Sequence, residues 1–354
     1  MASYILRRMI LAVPVIIGIL FFTFALTRLL PSDPCRQQLQ EHATEAVCRE
    51  FNHRHGLDRP IPEQFRRYLG DIVRGEFGNS FEYGYSVSRL MVERFPQTLE
   101  LTVYAMLFAV IVGVPLGIIS AYYHHSAIDV GTMVGANLGV SMPVFWLGLM
   151  LAYVFGVLFK GTIFWLPPGG SGIETQPFYE AWGLNVQASD TSIWAFIANM
   201  DTLNPLLAGN LGGFWDNMRH MILPMAALGT IPLSIIARMS RSSLLEVLGQ
   251  NYVRTARAKG VRERGVVFKH AFRNAMLPVV TIIGLSFGSL LSGAVLTETI
   301  FGLSGVGDAL FSAITGRDYT VVQAFTIVIA VIFVFVNLVV DILYVFLDPR
   351  IRLE

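Results

Sequence analysis

Six apolar segments constrain this 354-residue chain more than any other feature: residues 9–30, 101–123, 131–159, 221–237, 275–297 and 320–347. A helix needs about 20 mostly apolar residues to cross a bilayer core while satisfying its own backbone groups. Each segment meets or nearly meets that length, so the chain is expected to be an all-α, polytopic membrane protein with six transmembrane helices. Composition agrees. Hydrophobic residues make up 54% of the chain and charged residues 14%, whereas soluble domains carry roughly 25% charged residues.

An even number of spans puts both termini on one side. Arg7 and Arg8, nine Lys/Arg in the 238–274 loop, and Arg350 and Arg352 supply half of the chain's 26 cations on that side. The short loops opposite, 160–217 and 298–319, hold only Lys160 and Arg317. The positive-inside rule therefore makes the termini and the 238–274 loop cytoplasmic. The first apolar run follows Arg7 and Arg8 as a signal peptide would, but it is too long and no A-x-A-like site follows, so it reads as a retained anchor.

Three parts are expected: residues 1–30, a short head and the first span; 31–97, an extracytoplasmic domain; and 98–354, a core of five helices. The core carries an outer insertion, 160–217, and the cytoplasmic loop 238–274. In the first outer stretch, Phe65, Tyr68, Leu69 and Ile72 repeat at helical spacing, which suggests a small helical cap on the outer membrane face. The insertion contains PPGGSG and two short apolar pieces, neither able to span, and reads as a lip or as a plain loop. Cys35 and Cys48 lie in the outer stretch and are either a disulfide, permitted outside the cytoplasm, or two free thiols.

Formal net charge is +1, which points to neither nucleic acid nor an acidic partner, so only the distribution of charge informs. Small residues recur four apart on several spans, as at Gly113 and Gly117, Gly131, Gly135 and Gly139, and Gly284 and Gly288. Such rows let helix backbones approach closely in lipid. Arg28, Glu100, Glu298 and Asp341 fall near span ends, whereas a proton- or sodium-coupled carrier usually needs acids or His at the midplane. GLSFG (284–288) and GLSG (302–305) resemble serine-hydrolase motifs, but no histidine follows Ser286 or Ser304 as their chain order requires. The pairs His53/His55 and His124/His125 lack the partners of a metal site. None of Lys160, Lys259 and Lys269 follows Gly, so there is no P-loop, and any nucleotide hydrolysis belongs to another chain. No catalytic residue, metal or cofactor is expected here.

The 250–274 stretch, QNYVRTARAKGVRERGVVFKHAFRN, is the exception to the apolar pattern. A short helix is expected between Gly249 and Gly260, with Ser242 or Ser243 as its N-cap and Glu246 in its first turn. Topology and anionic lipid account for its cations. They do not account for Tyr252, Val253, Ala256 and Ala258 between them, which suit docking into a groove on a partner protein.

YVRTARAKG followed by HAFRNAMLP resembles the cytoplasmic loop of permease subunits in binding-protein-dependent ABC importers of the dipeptide/oligopeptide branch. RRMILAVPVIIGI, GLDRP, RFPQTLELT, SMPVFWLG, LTETIF, RDYTVVQ and NLVVDILYVFLDPRIR resemble the same family, while 160–217 matches least. Against the general importer motif, Arg254 and Thr255 replace Glu-Ala, and His270 and Phe272-Arg273 stand in place of Ile and Leu-Pro. The resemblance implies the type I ABC importer (MetI-like) transmembrane domain in a bacterial or archaeal cytoplasmic membrane. It implies that Tyr252, Val253, Arg254, Thr255, Ala256, Arg257, Ala258, Lys259, Gly260, Val261 and Glu263 form a helix coupled to a cytoplasmic ATPase. The implied partners are a second homologous permease, two ATPase subunits carrying ATP and Mg, and an outer substrate-binding protein. Peptides are the implied substrates, with nickel complexes or glutathione as alternatives; a channel or self-powered carrier is the reading from another class.

Overall fold

The computed structural model describes residues 2–29, 35, 43–54, 56–184, 186, 189 and 191–347; the tail cations Arg350 and Arg352 lie outside them. The described residues are helical and irregular, and their only pairing of extended backbone is an isolated bridge between Asn79 and Ser86.

Five straight helices are long and apolar enough to cross a membrane. Four lie in α1 (Ala2–Leu29), α4 (Val87–Tyr122), α10 (Leu211–Leu248) and α15 (Tyr319–Leu347), and one runs from Glu263 to Leu291, mostly in α13 (Phe272–Phe301). The sixth span is broken. Residues 131–159, expected as one helix, are divided between α5 (Ala127–Ser141) and α6 (Val144–Leu151), the latter continued by a π-helical segment, Ala152–Leu158. The two halves meet at 105°. Pro143 is the cause: it lacks an N–H and forces the residue before it out of the helical region, and Met142 is extended at φ −99°, ψ 133°. The 15 residues of α5 cover about 22 Å at 1.5 Å per residue, so the chain bends before it has crossed.

Close packing of α4 and α10 forms the centre. A Cβ at Gly117 would stand 2.5 Å from the Ala237 carbonyl oxygen, one at Gly113 2.8 Å from that of Leu233, and one at Gly229 2.6 Å from that of Ala105. Without the hydrophobic effect to drive association in lipid, such backbone contact and its dispersion energy hold helices together. The glycine rows thus pack helices at 113, 117 and 139, whereas Gly131 and Gly135 face open space. Leu101, Ala105, Leu228, Ile236, Val279 and Phe301 complete the core. At the periphery α1 lies along α15, where the Gln323 amide donates to the Thr23 carbonyl at 3.3 Å.

The helix directions follow from these contacts. One end of the bundle gathers the start of α1, the α4–α5 turn and the 249–271 loop, and is here called the basic end. The other gathers the described residues of 43–86, 159–210 and 302–318. Here α3 (Ile61–Val73) stacks Phe65 on Phe21 and Phe24, and Tyr68 on Phe24, so the expected cap helix rests on the first span. Cys35 and Cys48 are joined as a disulfide, Cys48 lying in α2 (Glu45–Arg54).

Candidate functional site

The basic loop forms about two helical turns, α11 (Asn251–Ala258), with Gln250 as its N-cap. Ser242 and Ser243 are not caps, contrary to expectation. Both lie inside α10, which begins far upstream at its own cap, Asn210; the Ser243 hydroxyl instead donates to the Ala275 carbonyl of α13 at 2.8 Å. Gly249 closes α10 and Gly260 follows α11 with φ +76°. That left-handed conformation suits glycine and strains any residue with a Cβ.

The eleven predicted contact residues divide into two groups. Val253 is wholly buried and is not a docking knob; it turns into its own subunit because the helix needs an apolar anchor there. Tyr252 is exposed, but its hydroxyl receives a hydrogen bond from the Asn274 amide at 2.8 Å. Ala256, one turn from Val253, is half-buried. Arg254, Thr255, Arg257, Ala258, Lys259, Gly260, Val261 and Glu263 are exposed. Among these Arg257 and Glu263 pair, Nε to Oε2 at 3.1 Å and Nη2 to Oε1 at 2.6 Å. This pair bridges the Gly260 turn.

After α12 (Glu263–Gly265), a π-helical segment, Val266–Ala271, leads into α13. Its Val267 and Ala271 are buried against Ala121, Leu244 and Ala275, so the loop is seated on three spans at once. Phe268, which the sequence reading passed over, is 59% exposed in the same segment. The arrangement can carry force: a small, cationic, partly apolar surface stands on a rigid mount.

The opposite end is built differently. Three carboxylates there accept from backbone N–H groups at helix starts, where the helix dipole favours negative charge. Glu298 receives Thr98 Oγ1 at 2.6 Å and Gly307 N at 2.6 Å, at the start of α14 (Val306–Thr315). Glu100 receives Thr202 Oγ1 at 2.5 Å and Leu203 N at 2.9 Å, at the start of α9 (Leu203–Leu207). Asp318 receives Val321 N at 3.3 Å, at the start of α15, and holds the turn before α4 through Ser80 Oγ at 2.6 Å and Phe81 N at 2.7 Å. Residues 298–319, read as a loop, therefore contain a helix, α14, set at 91° to the end of α13. The 160–217 insertion folds into α7 (Phe178–Ala181), α8 (Ile193–Ala198) and α9, none of which spans. With α4 it lines an open pocket of about 530 Å³ that has Glu93, Arg94, Gln97 and Asp201 on its wall. Burial pushes the Asp201 carboxyl up.

Together, the spans, the broken third helix and the seated loop define a polytopic transport subunit. The chain belongs to the family of binding-protein-dependent transport system inner membrane components, matched over residues 113–353, with the N-terminal part of that family matched over 1–102. It is accordingly a multi-pass inner-membrane permease component and not itself an enzyme. It is 41% identical to the dipeptide transport system permease protein DppB of Alkalihalophilus pseudofirmus over 352 residues, 99% of this chain and 100% of the relative. It is 43% identical to the di/tripeptide transport system permease protein DppB of Pseudomonas aeruginosa, covering 99% of each chain. The oligopeptide transport system permease protein AppB of Bacillus subtilis is 35% identical, over 99% of this chain and 100% of the relative.

Proposed function

We propose that this chain is the permease subunit of an ATP-driven importer of di- or oligopeptides, with its basic end and both termini in the cytoplasm. A second permease completes the pathway, two ATPases sit under the basic ends, and a substrate-binding protein docks on the opposite face. The observation that carries the reading is the exposed side of α11, with Arg254, Ala258 and Lys259 outward while Val253 anchors the helix inward. A helix held this way passes a push on to α10 and α13 instead of yielding. Charge supports the orientation, and the names of the relatives support the substrate class.

The test is reconstitution of the complex in liposomes with labelled dipeptide outside and ATP inside. Uptake that needs ATP, the ATPases and the binding protein is expected; uptake that persists without the ATPases overturns the reading. In the same system Ala258→Asp is expected to release the ATPases while the permease still inserts. Normal ATPase retention and uptake in that variant would remove α11 from the interface.

A further inference from the structure

We propose that the ion pair between Asp129 and Arg241 is the positioning contact through which movement of the basic loop reaches the break in the third span, an inference that rests on the docking reading above. Arg241 Nε donates to Asp129 Oδ1 at 2.8 Å and Nη2 donates to Oδ2 at 2.9 Å. The Asp129 side chain is 7% exposed and that of Arg241 27%. Two parallel hydrogen bonds between a planar guanidinium and a carboxylate fix orientation as well as distance.

The same carboxylate gathers three more elements. The Ser120 hydroxyl, near the end of α4, donates to Oδ1, and the backbone N–H of His125 donates to Oδ2 at 3.1 Å. His125 sits in the turn with φ +62°, a conformation that a residue with a side chain adopts only when its surroundings hold it there. Asp129 also opens α5, its own N–H donating to the Ser126 cap hydroxyl at 3.3 Å. One buried group thus joins the end of α4, the α4–α5 turn, the start of α5 and the last turns of α10.

From this joint, α5 is fastened to α10 along its length. Arg238 Nη2 donates to Asn137 Oδ1 at 2.8 Å, the Ser234 hydroxyl donates to the Ala136 carbonyl, and Gly139 lies against Thr230. Two residues past Gly139 the helix ends, and Met142–Pro143 bends the chain by 105°. On its other side α10 is fixed to the loop, through Ser243 to the Ala275 carbonyl and through Leu244 to Val267 and Ala271. Displacing α11 therefore displaces α10, and α5 follows because Asp129 and Arg241 prevent it from sliding or rotating. The displacement arrives at Met142–Pro143, where the third span bends, and there the helix can change angle. Asp129 and Arg241 touch neither substrate nor the docking face; they act by keeping α5 in register with α10.

The test is made on the whole reconstituted importer, measuring dipeptide uptake and ATP hydrolysis in the same vesicles. The readout is peptide moved per ATP hydrolysed, which a loss of folded complex does not change. Arg241→Gln and Asp129→Asn are each expected to lower that ratio about tenfold, within the range of coupling between sites, with the ATPases still bound. Arg241→Lys, which keeps the charge and loses the fork, is expected to lower it less. An unchanged ratio in Arg241→Gln, or in Arg241→Lys if the former complex does not assemble, overturns the proposal. Ala258→Asp separates the two levels: ATPase release there, with an unchanged ratio in the Arg241 variants, leaves the docking reading standing and removes this one. Retention of the ATPases and full uptake in Ala258→Asp removes the docking reading itself.

Discussion

Apart from the buried Asp129 and its partner Arg241 at the basic end, the two ends of the bundle spend their polar groups in opposite ways. At the end holding the insertions, Glu298, Glu100 and Asp318 are buried and accept hydrogen bonds from segments 102 to 238 residues away in sequence. At the basic end, Arg254, Ala258, Lys259 and Arg262 face outward, while the buried residues of the loop, Val253, Val266, Val267 and Ala271, are small and apolar. Buried carboxylates serve cohesion, because each unmet N–H in a dry site is costly. Exposed cations on an apolar footing serve contact with something else. The comparison assigns stability to one end and partnership to the other.

Thermal or denaturant unfolding of the purified subunit in detergent can break that comparison. Glu298→Ala leaves Gly307 N–H and the Thr98 hydroxyl without their shared acceptor, and is expected to destabilise by about 3 kcal/mol. Glu100→Gln keeps an acceptor but loses the charge at the start of α9, and a loss of about 1–2 kcal/mol is expected. Ala258→Asp at the basic end is expected to change unfolding by less than about 0.5 kcal/mol, as an exposed position should, despite its effect on ATPase retention. If Ala258→Asp unfolds the protein as readily as Glu298→Ala does, the division of roles between the ends is wrong.

The smallest expected effect concerns pH. Asp201 binds its proton more tightly in the folded state than in the unfolded chain, because burial raises its pKa from 3.8. Its contribution to stability is therefore fully present below 3.8 and lost as pH rises through the raised value. Asp201→Asn is expected to flatten that part of the melting-temperature profile above pH 3.8, measured against the parent protein. An identical slope in both would show that Asp201 does not carry it.

Much of this was legible in the residues. Six apolar runs correspond to five straight helices and one broken one, and Phe65 and Tyr68 lie on one face of a short helix as their spacing indicates. The break itself was signalled by Pro143, but four other prolines, Pro115, Pro224, Pro232 and Pro278, sit inside continuous helices, so proline alone does not mark it. Ser242 and Ser243 look like a helix start because the capping pattern is local, and nothing local shows that α10 is already running. Val253 and Ala258 are alike in a sequence of alternating cations; only the position of α13 and the π-helical segment decides which one is covered.

The sequence by itself determined where the chain crosses the membrane and which end is basic, because transfer into lipid and charge asymmetry sum along the chain regardless of what each residue meets. The tertiary structure decided which carboxylates are cohesive, which face of α11 is open, and that Asp129 meets Arg241 across 112 positions. Those are pairings between distant residues, set by how helices pack.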